Sequence, residues 1–119
     1  EILARAFWPG PLTLIGKPQL SLAWTAGVAD AVALRMPLHP WMLQLVAEVG
    51  PLAGTGAQRP DEPAPTALDA CDDQGVSIGL DGGELPGGSV STVVDLRRGV
   101  EVLREGAIPA ADITAALER

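Results

Sequence analysis

The segment from Leu38 to Val49 constrains the fold most, because its apolar residues follow the period of an α-helix. They recur at i, i+3, i+4, i+7, i+8 and i+11, a spacing that places side chains on one helical face. Pro40 is tolerated in a first helical turn, and Gly50 is typical just beyond a helix end. The sequence therefore predicts an amphipathic helix whose apolar residues are Leu38, Trp41, Met42, Leu45, Val46 and Val49.

Short apolar runs of strand length lie on both sides of this helix, separated by glycine and proline. The runs "STVVDL" and "VEVLRE", joined by "RRG", are typical of a β-hairpin. We expect helices over residues 1–7 and 109–118, the second with Ile113, Ala116 and Leu117 inward, and a short helix over 66–72. Strands are expected at 12–16, 31–37, 51–55, 91–96 and 100–105, with another strand and a turn in "VSIGLDGG". This mixture predicts an α/β (α+β) layer fold with a mixed sheet.

The composition favours one small domain with a real core. The chain has 119 residues, of which 47% are apolar, and no apolar run reaches the length of a membrane span. Cys71 is the only cysteine, so no disulfide framework or cysteine metal site is expected, and a reducing cytoplasm is the plain interpretation. Because the chain opens with Glu1 rather than Met, we expect a fragment of a longer protein.

The charge distribution argues against a nucleic-acid-binding surface. The net charge is −7, and residues 61–119 carry twelve acidic residues against four basic ones. Electrostatic binding of nucleic acid needs clustered Lys and Arg, which this half lacks. With one Phe, no Tyr and three Trp, the chain also has no stacking platform for single strands.

Four phrases carry a resemblance to a known family: "FWPGPLTLI", "VALRMPLHP", "GPLAGTGAQRPDEPAPT" and "STVVDLRRGVEVLREGAI". Their order and spacing resemble the YrdC-like family, the threonylcarbamoyl-AMP synthases, over Phe7 to Ile108. The resemblance implies a twisted, mixed open α/β sheet with flanking helices, and a partial YrdC-like domain over residues 1–119. It also implies an enzyme that uses L-threonine, bicarbonate and ATP, with Mg²⁺ as a candidate cation, to make threonylcarbamoyl-AMP for tRNA modification.

The resemblance implies roles for three residues outside the central loop. Arg35 would hold a substrate carboxylate, Ser91 would lie beside the threonyl or acyl-phosphate group, and Arg104 would meet ATP phosphates. Guanidinium groups and hydroxyls suit such ligands. The alternatives are a surface ion pair for Arg35, a strand-edge hydroxyl for Ser91 and a solvated cation for Arg104.

The proline-rich loop "TGAQRPDEPAPT" departs from the family pattern. Where the family has Ser-x-Asn and then Ser-Gly, this chain has Gly56, Gln58, Pro60 and Asp61. By resemblance Ala57 would contact the substrate, while Thr55 and Thr66 would contact ATP. The missing serine hydroxyl and the longer amide predict a loop that keeps its shape but has lost catalytic groups. The family's domain also begins with a segment that carries a Lys-x-Arg pair and a threonine-binding loop, and this sequence starts after both.

Two functional hypotheses follow from these residues. The first is threonylcarbamoyl-AMP synthesis, with low or no activity in this chain because of the divergent loop. The second is a non-catalytic member that binds a nucleotide or a protein partner. We expect structural roles for His39 and Cys71, and we expect the isolated chain to self-associate through an unpaired sheet edge.

Overall fold

The computed structural model describes residues 1–19, 30–72, 75–88 and 90–119. The chain divides into two units, which are described separately: a sheet unit, Glu1–Leu52 with Val90–Arg119, and a loop unit, Ala53–Ser89. In the described residues of the loop unit, a 3-10 turn spans Leu68–Ala70. The elements of the sheet unit are α1 (Ile2–Phe7), β1 (Leu12–Gly16), β2 (Val32–Arg35), α2 (Pro40–Val49), β3 (Thr92–Asp95), β4 (Glu101–Arg104) and α3 (Ala110–Leu117).

The four strands form one mixed sheet in the order β2-β1-β3-β4. Strand β1 pairs antiparallel with β2 and parallel with β3, and β3 pairs antiparallel with β4. The last pairing is the hairpin that "STVVDL" and "VEVLRE" predict. The mixed α/β open sheet expected from the sequence is therefore confirmed.

The core lies on one face of this sheet. Leu12, Leu14 and Val94 point to that face and are almost fully buried, whereas Thr13, between the two leucines, and Val93, just before Val94, are only partly buried. Such alternation follows from the two-residue period of a strand. Leu3 of α1 and Ile113 of α3 close the core, and the six buried apolar residues are Leu3, Leu12, Leu14, Val94, Ile108 and Ile113.

The turn after α1 positions β1. Trp8 follows the helix with an extended backbone, and its indole Nε1–H donates to the Leu12 carbonyl oxygen at 2.8 Å. Gly10 donates its N–H to the Met36 carbonyl oxygen at 2.8 Å, which ties the turn to the end of β2. A Cβ at position 10 would collide with the Phe7 carbonyl oxygen. Only glycine therefore fits this turn without movement.

Helix α2 confirms the period read from the sequence, including Pro40 in its first turn and Gly50 at its end with φ 82°. Its apolar residues are not buried, however. Trp41 is 53% exposed and Val49 is 58% exposed, and Leu38, which precedes the helix, is 71% exposed. The period thus predicted the local structure correctly, although amphipathicity by itself does not say what a helix packs against.

Four expectations from the sequence differ from the structure. Residues 51–55 and "VSIG" form no strand, and both segments are exposed, with Ile78 at 79%. A strand requires a neighbour that completes its hydrogen-bond ladder, and apolar composition alone does not supply one. The helix expected over 66–72 is a single 3-10 turn. In α3, Ile113 and Ala116 face the core as expected, but Leu117 is 37% exposed.

Candidate functional site

One row of residues crosses all four strands near one end of the sheet. In the pairing register, Arg35 of β2 lies opposite Thr13 of β1, Thr13 opposite Val93 of β3, and Val93 opposite Arg104 of β4. Paired residues project from the same face of a sheet. Because Thr13 and Val93 alternate with core residues, this row belongs to the face opposite the core. It places two guanidinium groups on either side of a threonine.

Ser91 directly precedes β3 and lies against this row. Its Oγ is 2.8 Å from Thr13 Oγ1, a distance at which either hydroxyl can donate to the other. Arg104 donates from Nε and Nη2 to the Ser91 carbonyl oxygen, at 3.1 and 2.9 Å, and from Nη2 to Ser91 Oγ at 3.2 Å. We call Thr13, Ser91 and Arg104 the Ser91 cluster. Ser91 is buried, with 8% of its surface exposed.

A β-bulge brings Arg104 into this cluster. The register pairs Val94 with Val102 but Val93 with Arg104, so β4 uses two steps where β3 uses one. Bulges of this kind redirect the side chain that follows them. Val102 packs against the core, yet Arg104 reaches Ser91 on the other side of the sheet. The irregularity therefore places a cation beside a hydroxyl that a regular strand would have left apart.

Thr92, next to Ser91, locks the segment that follows β4. It is fully buried, and its hydroxyl donates to the Ile108 carbonyl oxygen at 2.6 Å. Thr92 Oγ1 also accepts hydrogen bonds from the N–H groups of Gly106 and Ile108, each at 3.0 Å. All three bonding positions of the hydroxyl are thus occupied. Gly106 has no alternative here, because a Cβ would collide with the Val90 carbonyl oxygen.

Arg35 is exposed, so its guanidinium group is accessible to a ligand. Its Nε donates to the Gly10 carbonyl oxygen at 3.2 Å, which fixes the start of the guanidinium group. Among the residues that the structure describes, no carboxylate forms an ion pair with it. The surface ion pair considered for Arg35 is therefore not formed within those residues.

The other end of β3 carries a separate ion pair. Arg97 donates to both carboxylate oxygens of Asp95, with Nη2 to Oδ2 at 2.8 Å, and its Nη1 lies 3.3 Å from Asp30 Oδ2. The side-chain and backbone hydrogen bonds from Arg97 hold the pKa of Asp95 below its ordinary value of 3.8. The same contact raises the pKa of Arg97. Arg97 thus forms an ion pair with Asp95, the last residue of β3, and also with Asp30.

The loop unit holds the remaining residues that the family resemblance indicates. The Ala57 carbonyl oxygen accepts from the Asp72 N–H at 2.8 Å, and Arg59 Nε lies 3.3 Å from Asp72 Oδ2. The Thr66 carbonyl oxygen accepts from the Leu85 N–H at 2.7 Å. Thr55 is exposed. Backbone bonds therefore hold Ala57 and Thr66, and Arg59 forms an exposed ion pair with Asp72 that the sequence did not reveal.

The divergent positions in this loop are structurally coupled. The Gln58 side chain folds over Gly56, so that a Cβ at position 56 would lie 2.5 Å from Gln58 Oε1 and 2.9 Å from its Cδ. Asp61 has φ 67°, the left-handed conformation that glycine adopts without strain. The resemblance places the family's glycine at this position. Asp61 thus has a backbone φ typical of glycine, which Asp adopts more readily than most other residues with a Cβ.

The residues indicated by the resemblance consequently fall into two groups. Arg35, Ser91 and Arg104 lie together in the sheet unit, and the row adds Thr13, which the sequence analysis did not single out. Thr55, Gly56, Ala57, Gln58 and Thr66 lie in the loop unit. Within the described ranges, no three His, Cys, Asp or Glu side chains group to hold a metal ion. No helix in those ranges is long and apolar enough to cross a membrane.

The fold and the Ser91 cluster define a mixed α/β protein with hydroxyl and guanidinium groups on one sheet face. The Sua5/YciO/YrdC family model, described as "Telomere recombination", matches residues 1–106. The chain belongs to this family, as the four phrases of the sequence indicate.

The curated relatives include threonylcarbamoyl-AMP synthases. That of Pyrococcus abyssi (strain GE5 / Orsay) is 40% identical over 119 residues, covering 95% of this chain and 35% of the relative. That of Bacillus subtilis (strain 168) is 42% identical over 125 residues, covering 98% and 36%. A relative from Mycobacterium leprae (strain TN) is 40% identical over 120 residues, covering 97% and 54%. The chain thus spans about half or less of the length of these relatives.

A solved structure agrees with this assignment. The crystal structure of P. abyssi Sua5 complexed with L-threonine matches with a TM-score of 0.78 and 35% sequence identity. The match covers 98% of this chain and 36% of the solved chain. The fold of this chain therefore matches part of the fold of that solved protein.

Proposed function

We propose that this chain is part of a threonylcarbamoyl-AMP synthase that combines L-threonine, bicarbonate and ATP. The observation that carries the proposal is the row formed by Arg35, Thr13 and Arg104 with Ser91 beside it. This row offers an exposed guanidinium group next to a pair of hydroxyls. Such groups suit the carboxylate of an amino acid and the oxygens of a carbamate. The names of the relatives and the threonine complex of the P. abyssi protein support the same substrate.

The proposed reaction needs no covalent bond to the protein. The threonine amine attacks the carbon of bicarbonate, water leaves, and a carbamate forms. A carbamate oxygen then attacks the α-phosphorus of ATP, and the bond to the bridging oxygen of the β-phosphate breaks to release pyrophosphate. Such reactions are accelerated by positioning of the reactants and by neutralisation of the charge that develops in the transition state. A cation such as Mg²⁺ would enter with the ATP phosphates.

The described residues divide this work in a definite way. Arg35 binds the threonine carboxylate, since its Nη atoms are not engaged by described residues. Ser91 donates to an oxygen of the carbamate. Three of the five N–H groups of Arg104 are directed at Ser91, so only its Nη1 group remains for a phosphate oxygen. Arg104 is therefore chiefly an anchor for Ser91 in this proposal.

The divergent loop limits the expected rate. Gly56 has no hydroxyl where the family has serine, and Gln58 folds back over it. Removal of one preorganised donor typically lowers a rate by about 10²- to 10³-fold. We therefore expect binding of L-threonine to persist while turnover is slow. The non-catalytic alternative would bind a nucleotide or a protein partner without turnover.

Two measurements test the proposal. Titration calorimetry with L-threonine should show binding that Arg35→Ala abolishes, while Lys17→Ala, a cation outside the row, leaves it unchanged. Pyrophosphate release should require L-threonine, bicarbonate and ATP together. L-threonine binding that Arg35→Ala leaves unchanged would reject the assigned site. ATP-dependent pyrophosphate release that needs no threonine would reject the reaction.

A further inference from the structure

The hydroxyl of Thr13 is the one group of the Ser91 cluster to which nothing above gives a role. It lies on β1, 78 residues before Ser91 in the sequence, and reaches Ser91 because β1 and β3 pair in parallel. Its pairing partner on β2 is Arg35. Thr13 therefore lies between the proposed carboxylate-binding cation and the proposed carbamate donor.

The protons of the two hydroxyls determine what the contact between Thr13 and Ser91 can do. Arg104 can only donate, so its 3.2 Å bond uses one lone pair of Ser91 Oγ. The 2.8 Å bond between the two hydroxyls uses one hydroxyl proton and one lone pair. Two hydroxyls carry two protons, so one proton is left over. Whichever hydroxyl donates within the pair, the pair presents one proton to an acceptor outside it.

The contacts also restrict the rotation of Ser91. A serine side chain has three staggered rotamers, and a buried hydroxyl settles in the one that satisfies its hydrogen bonds. Arg104 already holds the Ser91 carbonyl oxygen, which leaves its contact with Ser91 Oγ as the longest of its three. The shorter bond to Thr13 is thus the stronger restraint on the hydroxyl.

We propose that Thr13 is a positioning residue that fixes the Ser91 hydroxyl, so that the pair donates its free proton to an anionic oxygen of the substrate held by Arg35. The inference rests on the proposed function for the identity of that substrate. The orientation of Ser91 follows from the geometry alone and is measurable without any ligand.

Three variants separate this role from simple stability. Thr13→Val keeps the side-chain shape but removes the hydroxyl, whereas Thr13→Ser keeps the hydroxyl. Thr114→Val is the matched control, because Thr114 is an exposed threonine of α3 whose hydroxyl donates to the Ala110 carbonyl oxygen of its own helix. We expect L-threonine affinity to fall roughly tenfold in Thr13→Val, to stay within about twofold in Thr13→Ser, and to be unchanged in Thr114→Val. The melting temperatures of all three should remain close to that of the unaltered protein.

Crystal structures of the unaltered protein and Thr13→Val supply the second readout. We expect Ser91 Oγ to leave its position or to occupy more than one rotamer in Thr13→Val. Equal affinity of Thr13→Val and the unaltered protein, or an equal loss in Thr13→Ser, overturns the proposal. If even the unaltered protein binds no L-threonine, the proposed function fails. In that case an unchanged single Ser91 rotamer in Thr13→Val overturns the positioning role, and a displaced one supports it.

Discussion

The Gln58 side chain occupies the space beside Gly56, with its Oε1 atom 2.5 Å from where a Cβ of residue 56 would lie. The two departures from the family's Ser-x-Asn pattern are therefore one structural change rather than two. A serine at position 56 requires the glutamine to move, and a glycine at 56 lets the glutamine fold inward.

This coupling predicts that the two positions must be restored together. We expect the double variant Gly56→Ser, Gln58→Asn to release pyrophosphate at least about tenfold faster than the unaltered protein, since it regains a preorganised donor. Gly56→Ser alone should gain less, because the Gln58 amide crowds the new side chain. The measurement is pyrophosphate release with L-threonine, bicarbonate and ATP.

Gly54→Ser is the control for this comparison, because a Cβ at position 54 has no heavy atom within 4 Å. It adds the same hydroxyl to open space in the same loop and should leave the rate of pyrophosphate release unchanged. Fast release by the unaltered protein, equal to that of the double variant, would show that Gly56 and Gln58 do not limit the reaction.

Asp61 offers a second test of the loop. Its φ of 67° is strained for residues with a Cβ and most strained for β-branched ones. We expect Asp61→Val to speed hydrogen exchange of the Glu62 amide, which bonds to the Arg59 carbonyl oxygen at 3.2 Å, by roughly tenfold. Asp61→Gly should preserve or slow that exchange.

Glu62→Val controls for the gain of a β-branched side chain at a neighbouring position without a positive φ. The measurement is amide exchange followed by NMR. If the amide of residue 62 exchanges at the same rate in Asp61→Val and Glu62→Val, the loop conformation does not depend on the backbone conformation at position 61.

Local patterns predicted the elements whose structure is decided locally. The period of Leu38 to Val49 and the stop at Gly50 predicted α2, and two β-branched runs around "RRG" predicted the hairpin of β3 and β4. The same reasoning failed at residues 51–55. An apolar run becomes a strand only beside a partner, and the sequence does not reveal which runs pair.

The candidate site shows the same limit more clearly. The resemblance indicated Arg35, Ser91 and Arg104, and the sheet brings these three together. The sequence indicated no role for Thr13 or Thr92, because the contact of Thr13 depends on the parallel pairing of β1 with β3 and those of Thr92 on the segment that follows β4. The available signal was the pair of hydroxyls in "STVVD", of which one faces the cluster and the other the core.

The buried hydroxyl of Thr92 predicts a large loss of stability. Thr92→Val leaves the buried Ile108 N–H and carbonyl oxygen, and the partly buried Gly106 N–H, without their partner. An unsatisfied buried group costs about 1–3 kcal/mol, so we expect the free energy of unfolding to fall by roughly 2–4 kcal/mol. Thr92→Ser keeps the hydroxyl and should lose less, about 1 kcal/mol for one buried methyl group.

Urea unfolding monitored by tryptophan fluorescence measures both variants. Thr92→Val as stable as Thr92→Ser would mean that the three hydrogen bonds add nothing beyond the packing of the side chain.

The ion pair of Asp95 and Arg97 predicts how stability depends on pH. Arg97 lowers the pKa of Asp95 below 3.8, so the folded state binds a proton at this group less readily than the unfolded state does. The contribution of Asp95 to the free energy of unfolding is then fully present above pH 3.8 and is lost as the pH falls through its lower folded-state pKa.

We expect Asp95→Asn to be less stable than the unaltered protein at pH 6, and the difference in free energy of unfolding between the two to narrow below about pH 3.8. Glu118→Gln, at the end of α3, is the matched control for the loss of one carboxylate elsewhere in the sheet unit. Urea unfolding at a series of pH values between about 2.5 and 6 measures all three proteins. A difference between Asp95→Asn and the unaltered protein that stays constant across this range would mean that the Asp95 charge does not stabilise the end of β3.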